Sequence, residues 1–204
     1  MDFTKTLAHG GACASVTYSY YMNMKPILIA EVKTQSPFGY QSTQSWDQLF
    51  QIANRYGDWI SIHTDPRWGG SFELLAHARS LTKKPILAKG IHATDDDLVR
   101  AFAAGADYAL VVGRIPNISL EKVLLEPIAI AELASYPKDA KVVWNTRDLA
   151  TGKPKYETIA DARKIWNGWL CQASILTDLK DVFSGVDAIL VGEHLEKFLQ
   201  SHNA

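Results

Sequence analysis

Glu31 and Lys33 stand two residues apart in the otherwise apolar run LIAEVKTQSP, Leu28 to Pro37. Side chains alternate faces along a strand, so both charges and Ile29 project to one side while Leu28, Ala30 and Val32 project to the other. An unpaired ion is costly to bury, so the two are either a mutual salt bridge or part of a polar site. Other apolar runs also end on a polar group: Lys89 in KPILAKGI, Arg114 in DYALVVGR, Glu126 in EKVLLEP, Asn145 and Arg147 in AKVVWNTR, and Gln172 in GWLCQAS. Lysines, glutamates, an amide and an arginine, without a metal-ligand cluster, suit acid–base chemistry on an anionic organic substrate. A metal is not expected.

These groups converge only if the elements carrying them share one edge. After ILIAEVK comes a polar turn and then WDQLFQIANRYG, whose Trp46, Leu49, Phe50 and Ala53 mark a helical stripe closed by Gly57. The unit recurs as DWISIHT with FELLAHARSL, which Ser71 can cap, and as KPILAKGI with DDDLVRAFAAG, which Thr94 can cap. DYALVVGR and EKVLLEP are separated by only IPNISL, too short for an ordinary helix. Strand and helix then alternate again through IAIAELASY, AKVVWNT, YETIADARKI, GWLCQAS, TDLKDVFSG, VDAILVG and EHLEKFLQ. The pattern predicts an α/β fold of eight strands and seven crossover helices. A small (β/α)8 TIM barrel fits this length better than a doubly wound sheet, with the helix between strands 4 and 5 missing. No G-x-G-x-x-G follows the first strand, so a dinucleotide fold has little support. In such a barrel the C-terminal strand ends carry the active site, and the polar residues named above fall there.

A chain of 204 residues with 47% hydrophobic content and no linker-like stretch is expected to form a single domain over 1–204. A formal charge of −1 without a basic cluster argues against nucleic acid as a partner. Cys13 and Cys171 lack metal-ligand spacing and read as free thiols of a reducing compartment. The opening MDFTKTLAHGGACASV lacks a signal-peptide core, and no apolar run reaches the length of a membrane span. A cytoplasmic protein without membrane contact is expected.

His63 beside Ser61 and His92 after the third strand read as ordinary hydrogen-bonded histidines, since neither has a second ligand at metal spacing. Gly69 to Ser71 could hold an anion, and a loop with an N-cap accounts for it equally well. The junctions QASILT and VGEHL occupy the place where barrels often hold phosphate by backbone N–H groups. Glu193 would repel an anion there unless its side chain turns outward. Arg147 is the best side-chain clamp for phosphate or carboxylate, because its guanidinium is a planar fork of donors.

IAEVKTQSP, ISIHTDPRWGGSFELL, PILAKGI, AAGADYALVV, WNTRDLATG and GVDAILVGEHL resemble, in order, the motifs of the indole-3-glycerol phosphate synthase family over most of residues 26–199. The resemblance implies ring closure of 1-(2-carboxyphenylamino)-1-deoxyribulose 5-phosphate, with loss of carbon dioxide and water, and no cofactor. It implies Lys89 as principal general acid, Lys33 as second catalytic lysine, Glu126 as acid–base glutamate, and Glu31 and Asn145 in support. Arg147, Ser36, Gln172, Ser174, Gly192, Glu193 and Trp68 are implied substrate or phosphate contacts. Trp68, Phe38 and Leu87 are candidates for an apolar wall against the anthranilate ring.

The sequence departs from the family pattern in several places. Gln172, Ala173 and Ser174 replace Glu, Ser and Gly, Gly90 and Ile91 replace Asp and Phe, and the N-terminal helical extension is truncated. The missing fourth helix is expected to leave apolar surface on two strands, suited to a homodimer or a pathway partner. Two alternatives follow: an altered-substrate enzyme of the isomerase kind, for which no cysteine ends the first strand, and a non-catalytic phosphate-binding barrel. Retention of Lys33, Lys89 and Glu126 together favours the enzyme.

Overall fold

The computed structural model describes residues 25–201; Cys13 and the N-terminal extension lie outside the described residues. Eight parallel strands close on themselves: β1 (Ile27–Val32), β2 (Trp59–His63), β3 (Ile86–Lys89), β4 (Tyr108–Val112), β5 (Val123–Glu126), β6 (Lys141–Asn145), β7 (Leu170–Ala173) and β8 (Ala188–Val191). Each strand pairs with the next, and β8 returns to β1 with Ile29 opposite Leu190. This is the (β/α)8 barrel that the alternation of elements predicts.

Helices cover the outside: α1 (Trp46–Tyr56), α2 (Phe72–Leu81), α3 (Asp95–Ala103), α4 (Ile159–Ile165) and α5 (Leu195–Gln200). Their starts follow local chemistry. Ser45, Thr94 and Thr158 form reciprocal capping boxes with Gln48, Asp97 and Asp161, and Ser71 accepts from the Leu74 N–H. The Gly69–Ser71 stretch is thus a turn with an N-cap, and Gly69 takes a left-handed φ of 74°.

Two predicted helices are absent. After β5 the chain makes only a 3-10 turn, Ile130–Ser135, whose start the Glu132 carboxylate caps by accepting the Ile128 and Ala129 N–H groups and whose end comes where Pro137 forces Tyr136 into extended backbone. After β7 only Leu179–Asp181 coils, its start capped by Asp181 Oδ2, which accepts the N–H groups of both Thr177 and Asp178. The β4–β5 connection also lacks an α-helix, as expected, but it leaves no bare strand. Ile118 and Leu120 pack onto the outer core, and Val111, Val123 and Leu125 are buried.

Strand residues divide by parity. Ile29, Leu87, Leu110, Leu124, Val143, Cys171, Ala173 and Leu190 fill the barrel interior, while Leu28, Ala30, Val32 and their counterparts meet the helices. At the N-terminal end the interior closes on a floor of aromatic rings. Trp59 stacks on Tyr108 at 4.4 Å between centroids, Trp169 lies 6.3 Å from Trp59, and Lys141 Nζ sits 5.7 Å from the Tyr108 ring. Three aspartates clasp the same end: Asp58, Asp107 and Asp187 each accept the N–H of a strand residue (Leu28, Ile86, Leu170) and donate their own N–H to that residue's carbonyl. The floor is thereby fixed, and the opposite rim is free for chemistry. Among the described residues no helix is long and apolar enough to cross a membrane.

Candidate active site

Interior parity carries Glu31, His63, Lys89, Glu126 and Asn145 to the C-terminal rim, with Lys33 and Arg147 just beyond their strands. Lys33, Lys89, Glu126, Asn145, Arg147, Ser174 and Trp68 line one pocket. A recess adjoins it, lined by Glu31, Lys33, Arg147, Ser174, Gly192 and Glu193. The polar strand ends therefore do converge.

Glu31 and Lys33 share a side, as the alternation requires, yet Glu31 hydrogen-bonds to Lys89 and not to Lys33. Lys89 Nζ donates to Glu31 Oε1 at 2.9 Å across the mouth of the barrel. Burial pushes the Glu31 carboxyl up, but Lys89, His63 and Lys33 outweigh it and hold the group well below its ordinary value. Gly192 permits this placement, because a Cβ there would overlap Glu31 Oε2. Burial lowers the Lys33 ammonium, opposed by Glu31 and Glu193.

Glu126 is fully enclosed and accepts from Asn145 Nδ2 at 2.9 Å. Desolvation dominates and raises its carboxyl despite the pull of Lys89. A carboxyl so placed holds a proton more readily than an exposed one, which suits a group that must both accept and return one. Asn145 Oδ1 in turn accepts the Arg147 N–H at 3.0 Å, tying the amide between the acid and the arginine loop.

Glu193 does not turn outward. Its side chain turns inward: Oε1 accepts from Lys33 Nζ at 2.7 Å and Oε2 from the Arg147 guanidinium at 2.9 Å. The Lys33 ammonium and the Arg147 guanidinium hold it there. Gln172 is a correction. The pairing of Ala173 with Asn145 puts Ala173 inside, so Gln172 faces outward, donating to the Asp181 carbonyl and accepting from the Phe183 N–H. Ser36 supports the β1 loop, its Oγ accepting the N–H groups of Phe38 and Tyr40. Ser174 lies in the pocket on left-handed backbone, φ 68°, followed by Ile175 at φ 57°. A β-branched residue is strained there, and such strain gathers at functional sites.

The apolar wall consists of Trp68 and Phe38, edge-on at 6.5 Å, with Ile91, Leu110, Val112 and Leu149. Leu87 lies a layer lower, in the barrel interior. Arg114 turns away to Asp95 and the His92 carbonyl. His92 hydrogen-bonds to the Leu110 carbonyl and Thr64, as an ordinary histidine does.

His63 is the residue that the sequence reading undervalued. It lines the pocket, stacks on Trp68 at 5.5 Å, and places Nε2 2.6 Å from Glu31 Oε1. That approach is off the hydrogen-bonding direction, and neither ring nitrogen has an aligned partner among the described residues. Its shared parity with Ser61 and Trp59 was the available signal. Burial brings the imidazole from 6.5 down to about 4, outweighing the pull of Glu31. The folded value lies below the unfolded one, so the unfolded chain binds the extra proton between them. Stability is then fully present above about pH 6.5 and falls as pH drops through the folded value, where loss of the lowered Glu31 adds to the fall. The urea midpoint is expected to decline between about pH 7 and about pH 5, and less steeply in His63→Leu. An equal slope in the two proteins would locate the proton uptake elsewhere.

Fold and rim together define an acid–base barrel for an anionic aromatic molecule. The family model for indole-3-glycerol phosphate synthase matches residues 16–136. The chain is 30% identical over 195 residues to the indole-3-glycerol phosphate synthase of Staphylococcus aureus strain JH1, covering 84% of this chain and 75% of that protein. It is 32% identical over 93 residues to the indole-3-glycerol phosphate synthase of Sulfurisphaera tokodaii, covering 45% of this chain and 38% of that protein. The chain belongs to the indole-3-glycerol phosphate synthase family.

Proposed function

We propose that the protein, acting as a single barrel domain in the cytoplasm, converts 1-(2-carboxyphenylamino)-1-deoxyribulose 5-phosphate to indole-3-glycerol phosphate, carbon dioxide and water, a step of tryptophan biosynthesis. The observation that carries the reading is the meeting of Lys33, Lys89 and Glu126, from three separate strand ends, against an apolar wall. Attack of the aromatic ring on the ketone develops charge on oxygen, and the Lys89 ammonium, held by Glu31, donates a proton to it. Lys33 faces the substrate carboxylate until it leaves and shares proton delivery in the dehydration. Glu126, kept protonatable by burial and oriented by Asn145, relays the proton released as the pyrrole ring forms. Trp68 and Phe38 hold the ring of the substrate, and the recess beside Ser174 and Gly192 takes its sugar-phosphate end. A contact with a second copy or a pathway partner belongs, in this reading, beside β4 and β5, where Ile115 of the β4–β5 connection and Ile128 of the β5–β6 connection are exposed.

The test is incubation of the purified protein with the anilino-deoxyribulose phosphate, followed by indole fluorescence. Appearance of the product is the expected result. Binding without conversion would favour the non-catalytic barrel instead.

A further inference from the structure

Lys33 and Arg147 approach from β1 and β6 and aim an ammonium and a guanidinium at one point beside the β7 and β8 loops. That arrangement suits the oxygens of a ligand's anionic group. In this chain the point is already filled. The Glu193 carboxylate bonds to both cations, with Arg147 Nη1 adding a third contact at 3.4 Å, and its side chain is only 11% exposed. Lys33 is further confined by the Tyr40 ring, 5.9 Å from Nζ. An incoming anion meets a like charge at short range and gains the cations only when Glu193 leaves them.

We propose that Glu193 is a specificity-determining residue, an internal carboxylate that competes with the substrate's anionic end for Lys33 and Arg147 and so sets the affinity of the site for that end. The inference rests on the reading of the site as one for a sugar phosphate. It goes further in assigning an opposing role to a side chain of the phosphate recess. The like-charged occupant weakens binding of a doubly charged phosphate more than that of a singly charged or neutral group. It also holds the two cations together while the site is empty.

Titration calorimetry with inorganic phosphate at low ionic strength tests this without turnover. Glu193→Gln is expected to bind phosphate at least about tenfold more tightly than the unaltered protein, since the repulsion is gone and both cations are released. Glu193→Asp, which keeps the charge, is expected to show no such gain. Glu193→Ser repeats the test with a side chain small enough to pack in any rotamer, should the glutamine variant not fold. Phosphate affinity that is equal in the neutral variants and the unaltered protein, weaker in the variants, or detectable in none of them overturns the proposal. Failure of the indole assay by the unaltered protein would instead count against the proposed reaction, and the two results are independent.

Discussion

Lys89→Ala is expected to lower kcat by about a thousandfold, with kcat/KM falling in parallel. A positioned general acid contributes roughly 10²–10⁴ in rate. The ammonium at Lys89 also opposes charge that develops only in the transition state, so its removal affects kcat and kcat/KM together and not KM alone. Lys33 does not replace it, because its ammonium is bonded to Glu193. Indole fluorescence at saturating substrate measures the effect. A rate within about threefold of the unaltered protein would remove Lys89 from the acid role.

Glu31→Ala is expected to destabilise the fold by about 3–5 kcal/mol, because removing one partner of a buried ion pair leaves the other uncompensated. Glu31 is 4% exposed and is the carboxylate to which Lys89 is bonded; it also lowers the electrostatic cost of Lys33 nearby. Its loss further opens the space that Gly192 leaves for it. Urea denaturation gives the difference directly. Glu31→Gln, which keeps the shape, separates the contribution of charge from that of packing. A change below about 1 kcal/mol in the alanine variant would mean that water already compensates both ammonium groups.

Much of this arrangement was legible in the sequence because it depends on short-range rules. Strict alternation in LIAEVK put Glu31 and Lys33 on one face, and the polar ends of otherwise apolar strands marked one rim. Ser71 and Thr94 announced their helices through capping chemistry. What was not legible depends on partners distant in sequence or on one-residue parity. GWLCQAS is apolar on both faces, so nothing local says whether Gln172 or Ala173 enters the barrel; the register against Asn145 decides it. The direction of Glu193 stayed open in the sequence because Lys33 and Arg147, 160 and 46 residues away in the chain, determine it. The segment expected to be helical after β5 stops short because Pro137 forces Tyr136 into extended backbone, and the segment after β7 coils for only three residues, Leu179–Asp181, although both starts are capped by a carboxylate.

The aromatic floor has a kinetic corollary. With the interior packed and Trp59, Tyr108 and Trp169 sealing the far end, the rim pocket has no outlet through the barrel, and whatever is made there must leave the way its precursor came in. Product still resident blocks the next arrival, so inhibition by accumulated product should be purely competitive and overcome by excess starting material.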